Sequence, residues 1–154
     1  MTPSDDVDRI MAVMAEAFDP AYGEAWNRRQ VEDALLLGQC HYGLANERGE
    51  PAGAGERAAG FFLSRTGYEE EELLLFAVSP AFRRCGIGAK LLAIFTEAAQ
   101  QRGARRLLLE MRRENPAEHL YRLQGFLPIG TRPKYYRTPS GERLDAITFA
   151  RDLG

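Results

Sequence analysis

Between an apolar run and an amphipathic one the chain reads Arg83-Arg84-Cys85-Gly86-Ile87-Gly88-Ala89. Two arginines, two glycines and a following helix suit an anion. Backbone amides from Arg84 to Ala89 can converge on it, the helix start carries partial positive charge, and glycine lets the backbone come close. Two common phosphate loops are excluded by spacing. A nucleoside-triphosphate loop needs a glycine before its lysine and a hydroxyl after it, whereas Lys90 stands between Ala89 and Leu91. A dinucleotide fingerprint needs a third glycine where Leu91 stands. On this fragment alone, a tight strand-to-helix turn with solvated arginines is the competing expectation.

Glu110 is the second candidate. It interrupts Leu107-Leu108-Leu109-Glu110-Met111, an otherwise apolar strand pattern in which an unpaired carboxylate is costly. It is therefore either a base held for proton transfer or half of a salt bridge with a neighbouring arginine. Cys85, beside a helix start, invites a nucleophile reading, but no histidine is paired with it in the sequence, and a small side chain that leaves a ligand unobstructed explains it better. Cys40, Cys85, His41 and His119 make no zinc spacing, so no metal is expected, and reduced thiols in a cytoplasmic protein follow. The acidic run Glu69 to Glu72 reads as a solvated strand start. Its alternative role is to attract a basic peptide, with Glu70 or Glu72 as a second-choice base.

Elements must position these groups. Val7, Ile10, Met11, Met14 and Phe18 recur at helical spacing from Ser4 to Phe18, with Asp5 and Asp6 at the positive end. Asn27 and Gln30 have capping-box spacing, flanked by Trp26 and Val31 as a hydrophobic staple, and open a second helix reaching about Gly38. Residues 40–47 and 58–66 read as strands around a Gly- and Pro-containing loop, and 72–79 as a strand buried on both faces. Ile87, Leu91, Ile94, Phe95 and Ala98 mark a helix face that ends at Gly103, and 105–112 is a second buried strand. Asn115, Pro116 and Glu118 signal the cap, first residue and capping acid of a short helix closed by Gly125. Residues 126–137 and 143–151 make a hairpin around Thr138 to Glu142.

One domain over residues 1–154 is expected, an α/β (α+β) sandwich with no repeat and no linker. With 20 basic against 22 acidic residues there is no sequence-independent grip on nucleic acid. No apolar run approaches the roughly 18 residues of a membrane span, and the first residues lack a basic stretch followed by an apolar one.

The order R-x-x-G-x-G between a buried strand and an amphipathic helix resembles the acyl-CoA pyrophosphate loop of the GNAT N-acetyltransferases. From about Trp26 to Leu153 the stretches FAVSPAFRRCGIG, LEMRREN, LYRLQGF and YYRTPSGERLDAI are similar to the branch of that family that acetylates the N-terminal alanine of a ribosomal protein. The resemblance implies a GNAT-like mixed, mostly antiparallel sheet of about six to seven strands flanked by four helices, with the CoA cleft between the two central strands. It implies acetyl-CoA as cosubstrate, held by Ala77, Val78, the loop from Arg83 to Ala89, Asn115 and Tyr121.

Carried over by position, Glu110 becomes the general base and Tyr121, in L-Y-x-x-x-G-F, the general acid beside the sulfur. A phenol can protonate a departing thiolate, which apolar neighbours cannot; core packing with a satisfied hydroxyl is the other reading of Tyr121. The Val78 N–H would stabilise the oxyanion, and Trp26, Glu70 and Tyr135 fall on the acceptor side. The implied acceptor is the N-terminal α-amine of a protein, with a lysine side chain or small amine as the alternative and a non-catalytic acyl-CoA-binding regulator as a second. No direct nucleic-acid or membrane partner is expected, and the chain should be a monomer or weak dimer.

Overall fold

The computed structural model describes residues 3–83 and 85–154. The chain opens with two helices, α1 (Pro3–Ala17) and α2 (Arg28–Leu36), and continues through three strands, β1 (Cys40–Ala45), β2 (Gly60–Gly67) and β3 (Glu70–Val78). Then come α3 (Ile87–Gln101), β4 (Arg106–Arg112), α4 (Glu118–Leu123), β5 (Leu127–Arg137) and β6 (Arg143–Asp152). Single 3-10 turns at Pro20–Tyr22 and Pro80–Phe82 precede α2 and α3. The box that opens α2 is reciprocal: Asn27 and Gln30 each accept the other's backbone N–H at 2.8 Å.

The six strands form one sheet in the order β1-β2-β3-β4-β6-β5, antiparallel throughout except for the parallel pair β3–β4. Alternation along the strands sends their apolar residues to two cores. Phe61, Leu63, Leu75 and Ala77 meet α1 and Val31 on one face, while Phe62, Leu107, Leu109, Met111 and Phe149 meet α3 and Tyr121 of α4 on the other. No helix among the described residues is long and apolar enough to cross a membrane.

The sheet opens at its centre. β3 and β4 pair only from Glu70 and Arg106 to Leu73 and Leu109. There β3 carries an extra residue: Leu63 faces Leu75 and Ser64 faces Leu73, leaving Leu74 unmatched. A bulge bends its strand and raises the local twist. Past it, the inner edges of Phe76 to Val78 and of Glu110 to Arg112 are no longer paired with each other.

Three expectations shift. α4 begins at Glu118 behind Ala117, because Asn115 accepts the Ala117 N–H at 2.9 Å in a local turn, and Glu118 pairs with Arg122 at 2.8 Å instead of closing a capping box. On α3 the buried stripe includes Leu92 and Ala99, with Ala98 at its margin, because the helix packs against several strands at once. The acidic run is not a solvated strand start at its centre. Glu71 is fully buried, takes the Nε–H of Arg102 at 2.8 Å and the hydroxyl of Ser64 at 2.6 Å.

Burial alone would raise the Glu71 carboxyl, but the Arg102 guanidinium and the Ser64 hydroxyl hold it below the usual carboxylate range. A depressed folded-state value stabilises the fold above the unfolded pKa, and that contribution is lost as pH falls through the folded value. Glu71→Gln should therefore cost about 3 kcal/mol in urea unfolding at pH 7, with the gap to the parent protein closing in acid.

Candidate active site

The loop after β3 is built to leave donors free. Ser79 donates to Ala59 across the β2–β3 ladder at 2.8 Å, so alternation engages the Ala77 backbone with Phe61 and turns the Val78 N–H and C=O away from β2, into the opening. Gly86, at φ +78°, turns the chain into α3 without a side-chain cap. The first helical bond is from Lys90 N–H to Gly86 at 3.2 Å, which leaves the amides of Ile87, Gly88 and Ala89 without helical partners.

A Cβ on Gly86 would meet nothing within 4 Å, whereas one on Gly88 would lie 3.1 Å from Leu120 of α4 and 3.9 Å from Phe76 and Val78. Space lies above the first glycine, and the second lets α4 close against the helix start. Such a cradle fits a pyrophosphate. The Ile87 side chain is in the core, and the exposed Cys85 has its thiol 3.6 Å from the Arg83 carbonyl. Arg83 itself donates to Val78 O at 3.1 Å and to Ala17 O at 3.0 Å. Arg84 lies outside the described residues. Lys90 reaches away from the loop, to the Arg48 carbonyl at 3.0 Å.

Candidate acid and base stand on opposite faces of the opening. Tyr121, on the α3/α4 side, packs edge-on against Phe76 and Phe126, ring centroids 6.0 Å apart in each pair. Burial, with the Glu24 carboxylate adding to it, pushes its phenol well above the ordinary range. Leu109 and Met111 belong to that same side, so Glu110 and Arg112 project to the other, toward the α1–α2 connection.

Neither neighbouring arginine pairs with Glu110. Arg112 is held by Glu24 at 3.0 Å and Arg113 by Asp145 at 3.1 Å. Glu110 is left with the Thr148 hydroxyl at 3.4 Å and the exposed Arg132 at 3.5 Å, loose contacts that keep an oxygen available. Beside it the Tyr136 phenol is pushed up to about 12 by burial, then by Glu110 and Glu24. Both phenols therefore stay protonated and able to donate.

Other expected residues are distributed unevenly. Trp26 is partly buried against the α1/α2 core. Tyr135, 54% exposed, stacks edge-on with Tyr136 at 5.5 Å and lies under Arg132 at 5.1 Å. Asn115 uses its side-chain oxygen on Ala117. Glu70 is not brought to the opening: it begins β3, paired with Gly67 and Arg106, and at about 3.3 Å per residue it lies on the order of 25 Å from Val78. Glu72, at the same end, pairs with Arg65 at 2.7 Å. The acidic run thus lies away from the opening, because it stands at the opposite end of the central strand β3.

Two residues at the site, Tyr22 and Glu24, have no signal in the sequence motifs, and Tyr136 and Asp145 lie in the stretch YYRTPSGERLDAI with no role that the motif assigns. Asp145 faces the segment from Pro133 to Tyr135, since Arg132 pairs with Ala146 and Tyr136 with Leu144. It accepts the N–H of Lys134, which sits at φ +54°, at 3.0 Å. That pin sets a β5 bulge between Arg132 and Tyr136, placing both beside Glu110. Among the described residues no cluster of three or more His, Cys, Asp or Glu could hold a metal ion. A carboxylate, two protonated phenols and an unpaired strand N–H around one gap are groups for acyl transfer with proton exchange on both sides.

The sequence profile of the Acetyltransferase (GNAT) family matches residues 8–126. The [ribosomal protein bS18]-alanine N-acetyltransferase of Haemophilus influenzae is 35% identical over 91 residues, 59% of this chain; the match spans 62% of that relative, under two thirds of its length. The N-alpha-acetyltransferase RimI of Mycobacterium tuberculosis is 35% identical over 153 residues, 97% of this chain and 88% of that one. Among solved structures, the ribosomal-protein-S18-alanine N-acetyltransferase from Escherichia coli superposes with a TM-score of 0.80 at 24% identity, over 99% of this chain and 91% of that one. Arabidopsis thaliana NAA60 in complex with a bisubstrate analogue gives 0.79 at 18% identity, over 99% and 94%. At such identities the two structures speak to the fold. The sequence matches reach further, through the loop after β3 and on to Phe126, and on that ground the chain belongs to the acetyltransferase (GNAT) family.

Proposed function

We propose that the protein transfers an acetyl group from acetyl-CoA to the N-terminal α-amine of a protein, with a ribosomal protein bearing N-terminal alanine as the acceptor. What supports this reading is that, where β3 and β4 part, Tyr121 packs on one face of the sheet and Glu110 projects to the other, and α3 starts without a side-chain cap. The names of the relatives support the acceptor class. When bound, acetyl-CoA supplies an activated thioester.

The amides of Ile87, Gly88 and Ala89 bind its pyrophosphate, and Val78 N–H donates to the carbonyl oxygen as negative charge develops there. Glu110 takes a proton from the amine, directly or through one water, and Tyr121 O–H gives one to the departing sulfur. Asn115 flanks the pantetheine arm, while Trp26, Tyr135 and Tyr136 line the acceptor side. An N-terminal amine ionises near ~7.7–8.0 and lysine near ~10.4, so the α-amine needs about 3.4 kcal/mol less help to become neutral. A single loosely held carboxylate suits that demand. A ribosomal acceptor accords with a cytoplasmic location.

Mass spectrometry of acetyl transfer to a basic peptide with free N-terminal alanine, beside its N-blocked twin carrying an internal lysine, tests the reading. Acetylation of the free N-terminus alone is expected. Modification of the blocked twin would overturn the α-amine assignment, and silence on both with acetyl-CoA bound would overturn the protein-acceptor reading and leave a small amine or a non-catalytic regulator.

A further inference from the structure

The connection between α1 and α2 is held from both sides of the sheet opening. Just past the end of β3, Arg83 bridges two carbonyls: Val78 O, which faces the opening, at 3.1 Å, and Ala17 O, the last residue of α1, at 3.0 Å. At the end of β4, Arg112 is only 8% exposed, pairs with Glu24 at 3.0 Å, and stacks with its guanidinium carbon 3.6 Å above the Tyr22 ring. A planar guanidinium that stacks and hydrogen-bonds at once fixes geometry in a way a lysine cannot. Between these two anchors β3 and β4 are not paired, so no ladder hydrogen bond between the two strands fixes the distance there. The segment they hold carries Glu24, whose charge acts on both Tyr121 and Tyr136.

We propose that Arg83 and Arg112 are positioning residues that couple occupancy of the cofactor cleft to the placement of residues 19–26, so that acetyl-CoA binding strengthens acceptor binding. The proposal rests on the transferase reading above and gives Arg83 a role its loop position does not suggest. Its side chain acts through Ala17 and Val78 instead of through phosphate. Coupling of this kind is reciprocal, so an acceptor peptide tightens acetyl-CoA by the same factor.

Amide hydrogen exchange over residues 18–26, with and without acetyl-CoA, tests it in the parent protein, Arg83→Met, Arg112→Lys and Glu24→Gln. The last variant serves if the buried arginine does not tolerate replacement. Calorimetry gives acetyl-CoA affinity, and steady-state kinetics gives KM for acceptor and cofactor separately. Acetyl-CoA should slow exchange in the parent protein and not in Arg83→Met, whose acetyl-CoA affinity stays within about twofold while acceptor KM rises about fivefold or more. Arg112→Lys should lose the slowing as well.

Absence of slowing in the parent protein, or its retention in the variants, would overturn the coupling. A tenfold or greater loss of acetyl-CoA affinity in Arg83→Met, with acceptor KM unmoved, would return Arg83 to the phosphate. The exchange and calorimetric readings need no turnover, so a chain that acetylates no amine would sink the transferase reading and leave the coupling to be decided separately.

Discussion

Glu110→Gln is expected to lower kcat/KM for an α-amine acceptor by roughly 100- to 1000-fold, the range a well-placed general base supplies. Glutamine keeps the length of the side chain and an oxygen for the Thr148 hydroxyl, which lies 3.4 Å away, so thermal unfolding should barely change. What it removes is the lone pair that takes the proton. The environment makes the test clean: Arg112 and Arg113, adjacent in the chain, are engaged by Glu24 and Asp145, so no buried cation is orphaned by the substitution. An unchanged rate in a folded variant would move the base elsewhere, and Glu24, whose charge acts on Tyr121 as well as on Tyr136, is the next carboxylate to replace.

Tyr121→Phe should lower kcat by about 100-fold while leaving acetyl-CoA affinity nearly intact, because the ring contacts with Phe76 and Phe126 survive and only the proton donor goes. Burial and the nearby Glu24 carboxylate both disfavour the phenolate, which raises the phenol above its ordinary value of about 10 and keeps it protonated across the working range. The alkaline limb of the parent pH–rate profile should accordingly show no ionisation of Tyr121 below about pH 10. A donor thioester with a more acidic thiol leaves without needing a proton, so it should narrow the gap between parent and variant. A defect of equal size with both donors would assign Tyr121 to packing alone.

Features that act within a few residues are legible in the sequence. Asn27 and Gln30 are three apart and form the reciprocal box that their spacing predicts. Gly86 takes the left-handed conformation that precedes α3, and alternating apolar residues lay out the strands of the open sheet. Asn115 has the sequence signature of a direct helix cap without being one, because an Asn-Pro turn and a helix start share the same local hydrogen bond from the Asn side chain.

Glu71 illustrates the opposite case. In the chain it is one of four consecutive glutamates, yet its partners include Ser64 and Thr66, seven and five residues back, and Arg102, 31 residues on, and together they make its burial tolerable. Glu24 and Arg112 are 88 residues apart and meet only because the α1–α2 connection crosses the end of β4.

By itself the sequence determined the element order, the glycine turn into α3, and the residue types able to give and take protons, since each depends on periodicity or on contacts a few positions long. Tertiary structure decided which carboxylates stand near the opening, that Tyr136 joins them, and that Glu70 stands at the opposite end of β3. The reason is geometric: one unmatched residue at Leu74 shifts the register of β3 and coincides with the end of its pairing to β4, and a register offset between distant strands is not written in any local pattern.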